Sequence, residues 1–215
     1  MVNIKGISLA ITTHCNLSCT NCTWGIQKIP MNKREHYTWE YLENCAKYFK
    51  GIETIYITGG EPTLHPNLEE WSYRFKQLFK CKNLYIWTNG LGFNNLSVDA
   101  FNQYDRIIIT LYDKNTYKGS VDNSEQIMDF IESFPTNSRH KIQPGRIDHL
   151  INIPGGPNPC GRQVEHEGLV PYLNGKVYHC CGGIAIQKGV ILSDSWRTDI
   201  LNEPLNCDLC VFGEF

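Results

Sequence analysis

The sequence predicts an α/β protein: an open, partial (β/α)5-6 TIM barrel followed by a small second domain. Three observations carry this. Strand-like runs alternate with stretches whose apolar residues recur at helical spacing, which implies βαβ units and a parallel sheet. Strand candidates arrive every ~25–50 residues, close to the pitch of a barrel unit, and a closed eight-unit barrel takes ~250 residues. Only five or six strands fit before residue 155, so the barrel stays open. The composition then changes at Pro154-Gly155-Gly156-Pro157-Asn158-Pro159, a turn-rich linker. The expected domains are therefore 1–153 and 154–215.

Residues 4–12 form the first strand. Thr38 caps a helix with apolar positions Trp39, Leu42, Cys45, Ala46 and Phe49, stopped by Gly51. Residues 53–58 form a second strand, ended by Gly59-Gly60-Glu61-Pro62. Leu68, Trp71, Phe75, Leu78 and Phe79 mark one amphipathic helix. Residues 83–88 form a third strand, ended by Asn89-Gly90. Residues 106–112 form a fourth, apolar on both faces as in a parallel sheet. Ser124 opens a helix with Ile127, Phe130, Ile131 and Phe134 on one side. Ile147 to Ile153 is the last core strand. Beyond the linker, Asn174-Gly175 turns a hairpin toward Cys180.

The bulk numbers exclude several function classes. Formal charge is −2 and pI about 6.4, so no basic excess points to nucleic acid or an anionic membrane. No apolar run approaches the ~18 residues of a membrane span, and the N-terminus reads as a strand, not a signal peptide. The ten cysteines cluster, and with no secretion signal that pattern favours metal in a reducing cytoplasm over disulfides.

The organising stretch is Thr12-Thr13-His14-Cys15-Asn16-Leu17-Ser18-Cys19-Thr20-Asn21-Cys22. Its C-x3-C-x2-C thiols follow the first strand. Three cysteines on one loop can ligate three irons of a cubane and leave the fourth iron open to a small molecule. Structural zinc usually takes four ligands, and only one C-x2-C pair lies nearby. Active sites of parallel barrels sit at the C-terminal strand ends. The thiol loop, Gly59-Gly60-Glu61-Pro62, Thr88-Asn89-Gly90, and Thr110 with Tyr112 all fall there.

This pattern resembles the radical S-adenosylmethionine (radical SAM) superfamily, in which the open iron binds SAM and a 5′-deoxyadenosyl radical results. The resemblance implies a [4Fe–4S] cluster on Cys15, Cys19 and Cys22. It implies SAM contacts at Gly59, Gly60, Glu61, Thr88, Asn89 and Thr110. The residue before the third cysteine, often aromatic in the family, is Asn21. The resemblance further implies a cytoplasmic enzyme fed by an electron donor such as flavodoxin or ferredoxin.

Five of the ten cysteines fall in the last 56 residues. They resemble the SPASM/twitch domain of the same superfamily, which implies a second, auxiliary [4Fe–4S] cluster on Cys160, Cys180, Cys207 and Cys210. Cys181 is spare and could replace Cys180, and a zinc ribbon could use the same four sulfurs. The arrangement looks like that of small twitch dehydrogenases that oxidise an aminocyclitol alcohol. It is shared with peptide-modifying maturases. No peptide-recognition segment is expected before the barrel, so oxidation of a small molecule is favoured over a peptide substrate. Arg146 and His149 are the candidate base or anion-binding groups on the substrate side. A non-catalytic zinc-binding interaction protein is the alternative from another class. Cys45 and Cys81 are expected as core thiols on helices, and His14 and Trp24 as packing residues. Lys28, Lys33 and Arg34 are expected on a solvated loop.

Overall fold

A computed structural model describes residues 4–19, 22, 24–111, 125, 128–129, 132, 143–146, 169–173, 175–178 and 190–202. Among the described residues eight strands form one sheet: β1 (Gly6–Ala10), β2 (Thr54–Thr58), β3 (Asn83–Thr88), β4 (Arg106–Leu111), β5 (Gln143–Arg146), β6 (Leu169–Leu173), β7 (Lys176–Val177) and β8 (Val190–Ile191). Their order is β5-β4-β3-β2-β1-β6-β7-β8. Strands β1 to β6 pair in parallel, and β7 and β8 antiparallel. The parallel α/β expectation holds, with five strands among the described residues before residue 155.

The fifth strand was not anticipated from the apolar pattern. It is Gln143-Pro144-Gly145-Arg146, and Ile147 to Ile153 lies outside the described residues. Proline interrupts a strand ladder, but β5 is an edge strand, where that is tolerated. The sixth parallel strand comes from beyond the linker and lies against the outer side of β1, with Gly6 opposite Leu169 and Leu9 opposite Tyr172. The β6–β7 hairpin turns at Gly175, whose φ of 77° is the left-handed conformation such turns favour.

The sheet has two unlike faces. On one, Ile7, Leu9, Ile55, Ile57, Leu84, Ile86, Ile107 and Ile109 are all fully buried. They join Leu42 and Phe49, Leu68, Phe75, Phe101 and Trp196 in one core. The other face carries Ser8, Tyr56, Tyr85 and Arg106 as a cross-strand row, with Thr58, Trp87, Ile108 and Thr110 nearer the C-terminal ends. The expectation that residues 106–112 are apolar on both faces is therefore corrected: the second face alternates Arg106, Ile108 and Thr110.

Helix α1 (Trp39–Ala46) starts where expected, with the Thr38 hydroxyl accepting from Tyr41 N–H at 3.2 Å. The expected helix from Leu68 to Phe79 is instead two, α2 (Leu68–Ser72) and α3 (Phe75–Phe79). Ser72 explains the break. Its hydroxyl donates to the Leu68 carbonyl at 2.7 Å and meets Tyr104 Oη at 2.8 Å; such back-bonding bends helices. A short helix α4 (Val98–Phe101) was not anticipated; Ser97 caps it and is itself held by Glu69. Helix α5 (Trp196–Asn202) docks through Trp196, whose indole N–H donates to the Tyr48 carbonyl at 3.1 Å. Glu125, Met128, Asp129 and Glu132 are helical and exposed, the stripe complementary to the apolar one expected after Ser124. Cys45 is a core thiol on α1, but Cys81 lies in the turn after α3 rather than on a helix. Among the described residues no helix is long and apolar enough to cross a membrane.

Candidate cofactor site

Strand β1 delivers the cysteine loop to the C-terminal rim of the sheet. The loop is closed at its base by the returning chain. Thr13 N–H donates to the Glu35 carbonyl at 2.9 Å, Glu35 N–H to Thr13 Oγ1 at 2.7 Å, and Tyr37 N–H to the Ile11 carbonyl at 3.0 Å. Thr12 and His36 form a bridge, with Thr12 Oγ1 2.9 Å from His36 Nδ1. His14 stacks on His36 at 4.3 Å, and His36 meets His65 edge-on at 5.1 Å. The packing role expected for His14 is thus observed. Trp24 packs against Ala10, Tyr37, Leu173 and Tyr178, as a core residue should.

The Gly59-Gly60-Glu61 turn lies directly on this loop. Gly60 N–H donates to the Thr12 carbonyl at 2.8 Å and Glu61 N–H to the His14 carbonyl at 2.7 Å. A Cβ at Gly59 would stand 2.3 Å from Thr12 O, and one at Gly60 2.0 Å from His14 O. The glycines are required because two backbones touch here. Those amides are used by the chain itself.

Glu61 is 1% exposed. Its Oε1 accepts from Thr88 Oγ1 at 2.6 Å, Thr63 Oγ1 at 2.7 Å and Thr63 N–H at 3.1 Å; its Oε2 accepts from Asn89 N–H at 2.7 Å. Burial pushes its pKa up, and these four donors oppose that. The resemblance implies a SAM contact at Glu61. The structure shows a brace joining the end of β2 to the end of β3. Asn89 continues the brace: its Nδ2 donates to Asn16 Oδ1 at 2.8 Å, tying β3 to the cysteine loop. Thr110 accepts from the Trp87 indole N–H at 2.8 Å on the adjacent strand end. The six residues expected to contact cofactor therefore share one rim.

Cys15, Cys19 and Cys22 are half-buried and form no disulfide. Burial pushes Cys15 up to about 12; the Leu17 N–H opposes this, and Glu61, Cys22 and Cys19 add to it. Burial raises Cys22 likewise, offset by neighbouring N–H groups and the charge of Arg34. Arg34 is not merely solvated, as expected: it donates to the Ile26 and Ile29 carbonyls, each at 3.2 Å. Arg146 ends β5 on the same rim, opposite Leu111, while Thr110 pairs with Gly145. The pleat thus puts Arg146 one residue out of step with Thr110. His149, Cys160, Cys180, Cys181, Cys207 and Cys210 lie outside the described residues, as do Asn21, Tyr112 and the linker.

Sequence reasoning missed Asn16, Thr63, Glu35 and His36. Their role is to hold loops together across long sequence separations, and no local signal marks that.

An α/β sheet whose first strand carries a thiol triad to the rim, fastened to the next two strand ends, defines the class. A family profile described as the Radical SAM superfamily matches residues 9–138, and this chain belongs to that superfamily. Curated relatives include GTP 3',8-cyclase of Aquifex aeolicus (strain VF5), 34% identical over 91 residues, and that of Staphylococcus saprophyticus, 31% identical over 94. Each match covers 41% of this chain and 28% of the relative, so the chain spans under a third of their length. Among solved structures, BtrN in complex with AdoMet and 2-DOIA superposes with a TM-score of 0.64 at 13% identity, over 93% of this chain and 82% of that one. An open conformation of BtrN gives 0.55 at 12% identity, over 93% and 80%.

Superfamily membership implies a [4Fe–4S] cluster and S-adenosylmethionine, and the three thiols present fit the cluster. Among the described residues no three His, Cys, Asp or Glu side chains close on a single metal ion. A cubane asks for something different. Each thiolate takes a separate iron, so three soft sulfurs must surround a space rather than meet at a point. The braced loop supplies those three sulfurs. Ligation takes them as thiolates, so the protons held on the buried thiols leave on binding.

Proposed function

We propose that this chain is a radical SAM enzyme that oxidises a small molecule bearing a hydroxylated ring. The observation that carries the reading is the fastening of the Cys15 loop to the ends of β2 and β3 through Gly60, Glu61 and Asn89. It gives the thiols a fixed place beside the residues proposed to contact SAM: Gly59, Gly60, Glu61, Thr88, Asn89 and Thr110. When bound, cluster and SAM supply reductive S–C cleavage and a carbon radical that takes hydrogen from substrate. Cys15, Cys19 and Cys22 grip the cluster and leave one iron for SAM.

The second sheet face supports the choice of a small molecule. Tyr56 and Tyr85 meet edge-on at 5.1 Å, Arg106 lies over the Tyr85 ring at 5.1 Å, and Trp87 holds Thr110. Aromatic faces beside hydroxyls suit a ring with an apolar face and polar rim. The names of the relatives, GTP 3',8-cyclase, also point to a small substrate rather than a peptide. Arg146 and His149 are proposed to bind an anionic group or move a proton on the substrate. Cys160, Cys180, Cys207 and Cys210 are proposed to hold the auxiliary cluster in a twitch-like domain.

The test is anaerobic reconstitution followed by reduction with SAM. About eight irons per chain, a ~400 nm band and 5′-deoxyadenosine are expected. About four irons with 5′-deoxyadenosine would remove the auxiliary cluster alone. Zinc without iron, or equal 5′-deoxyadenosine from Cys15→Ala, would overturn the whole reading.

A further inference from the structure

The chain leaving the cysteine triad folds back over its last thiol. Gly25 N–H donates to the Cys22 carbonyl at 2.9 Å, and Lys28 N–H to the Gly25 carbonyl at 2.9 Å. Gly25 has φ 60°, and successive N–H groups around a left-handed residue form a concavity that favours negative charge. Burial raises the Cys22 thiol; the N–H groups of Ile26, Trp24 and Gly25 oppose that at the sulfur, as does the charge of Arg34. Arg34 also builds the turn. Its Nη2 donates to the Ile26 carbonyl and its Nε to the Ile29 carbonyl, each at 3.2 Å. One planar, permanently charged group thus grips both ends of the turn. Arg34 is half-buried, and among the described residues no carboxylate pairs with it. Cys15 is placed differently: its sulfur accepts from Leu17 N–H at 3.4 Å, and the Glu61 carboxylate works against its thiolate.

We infer that Arg34 is a positioning residue that raises the reduction potential of the cluster on Cys15, Cys19 and Cys22: it locks the turn whose N–H groups face the Cys22 sulfur and adds its own charge there. The inference rests on the proposed placing of a cluster on these thiols and assigns what biases that cluster toward its reduced state. Reduction brings in one electron from an external reductant, and no bond forms or breaks. The added negative charge is favoured by donors and positive charge at a ligand sulfur, and hydrogen bonds to sulfur, net charge and exposure tune such potentials. Lys28 and Lys33 are exposed, so salt screens them; a half-buried guanidinium is screened much less. Arg34 keeps its charge at every working pH, so the bias does not depend on a titration.

The experiment is a redox titration of the anaerobically reconstituted chain with dithionite, without SAM or substrate, followed by electron paramagnetic resonance. The signal absent from Cys15→Ala identifies the cluster concerned. Wild type, Arg34→Gln, Arg34→Lys and Lys33→Gln are compared. Arg34→Gln is expected to lower the midpoint by about 59 mV or more, a tenfold loss in the one-electron reduction equilibrium. Arg34→Lys keeps the charge without the fork and should fall between wild type and Arg34→Gln. Lys33→Gln removes an exposed neighbouring charge and should shift the midpoint far less. A merely structural Arg34 would change how much iron is taken up, but occupancy does not move a midpoint. The inference is overturned if Arg34→Gln keeps the wild-type midpoint, if Arg34→Lys lies at either end, or if Lys33→Gln shifts it equally. Should Arg34→Gln take up no iron, Arg34→Lys decides, and a wild-type midpoint there overturns the inference. Should wild type itself take up no iron, the placing of the cluster fails, and Arg34 has nothing to act on.

Discussion

Asn89 Nδ2 donates to Asn16 Oδ1 at 2.8 Å across 73 positions of sequence. Asn16 stands beside Cys15, and Asn89 ends β3, so this bond sets the cysteine loop against a neighbouring strand end. Asn89 Oδ1 also accepts from Leu91 N–H at 3.0 Å, which fixes the amide's orientation. Asn89→Ala removes both bonds. It should cost about 1–2 kcal/mol, read by urea denaturation, and slow iron incorporation relative to wild type. Asn16→Ala should reproduce the slower incorporation, and an unchanged rate in both would show that the bond does not set the loop.

Gly60→Ala should be far more damaging than Gly51→Ala. The first would put a Cβ 2.0 Å from His14 O, whereas around Gly51 there is nothing within 4 Å. Gly51 has φ +78°, so its replacement costs only the left-handed penalty of about 1–2 kcal/mol. Gly60→Ala must separate two backbones and should lose more than about 3 kcal/mol. Thermal melts of the two variants side by side check the ordering.

Glu61→Gln keeps the shape and places an NH2 group against groups that already donate. At least one of the Thr63, Thr88 and Asn89 bonds must then be lost in a buried site. A loss of about 2–3 kcal/mol is expected by denaturation, with Glu61→Ala larger still. A neutral Glu61→Gln would show that the brace does not depend on a carboxylate.

His65 predicts a pH dependence. Its Nε2 lies 2.9 Å from the Tyr37 carbonyl and its Nδ1 accepts from Asn67 N–H at 3.2 Å. A carbonyl only accepts and an amide N–H only donates, so the ring is held neutral with its proton on Nε2. Burial lowers its pKa to about 4; the Tyr37 bond opposes the shift and His36 adds to it. Between about pH 4 and the unfolded value of about 6.5, the unfolded chain binds more protons. Stability therefore falls as pH drops through that window, by up to about 1.4 kcal/mol per pH unit from this site. His36 is shifted the same way by burial and His14. Denaturant midpoints from pH 4 to 7 should show the slope, and His65→Phe should reduce it.

Much of the sheet was legible because the signals are local. The run Ile7 to Ile11, the Thr38 cap and the Gly175 turn each announce their element through propensity or capping chemistry. The thiol spacing announced the loop for the same reason. What escaped was long-range. Nothing near Leu169 states that it will pair with Gly6, and nothing near Ser72 states that its hydroxyl will meet Tyr104 and break a helix. Strand β5 was not anticipated because Pro144 and Gly145 are poor strand formers that an edge position tolerates. The hydrogen bonds of Glu61 escaped too, because its partners, Thr63, Thr88 and Asn89, converge only once the ends of β2 and β3 align.

The position of β1 between β2 and β6 bears on how the protein is made. A ribosome emits β1 and its thiols well before residues 169–173, and that strand's second flank stays open until they emerge. Iron delivered early in synthesis would meet a half-built platform. Metal loading is therefore expected only after residues 169–173 have come back to cover β1.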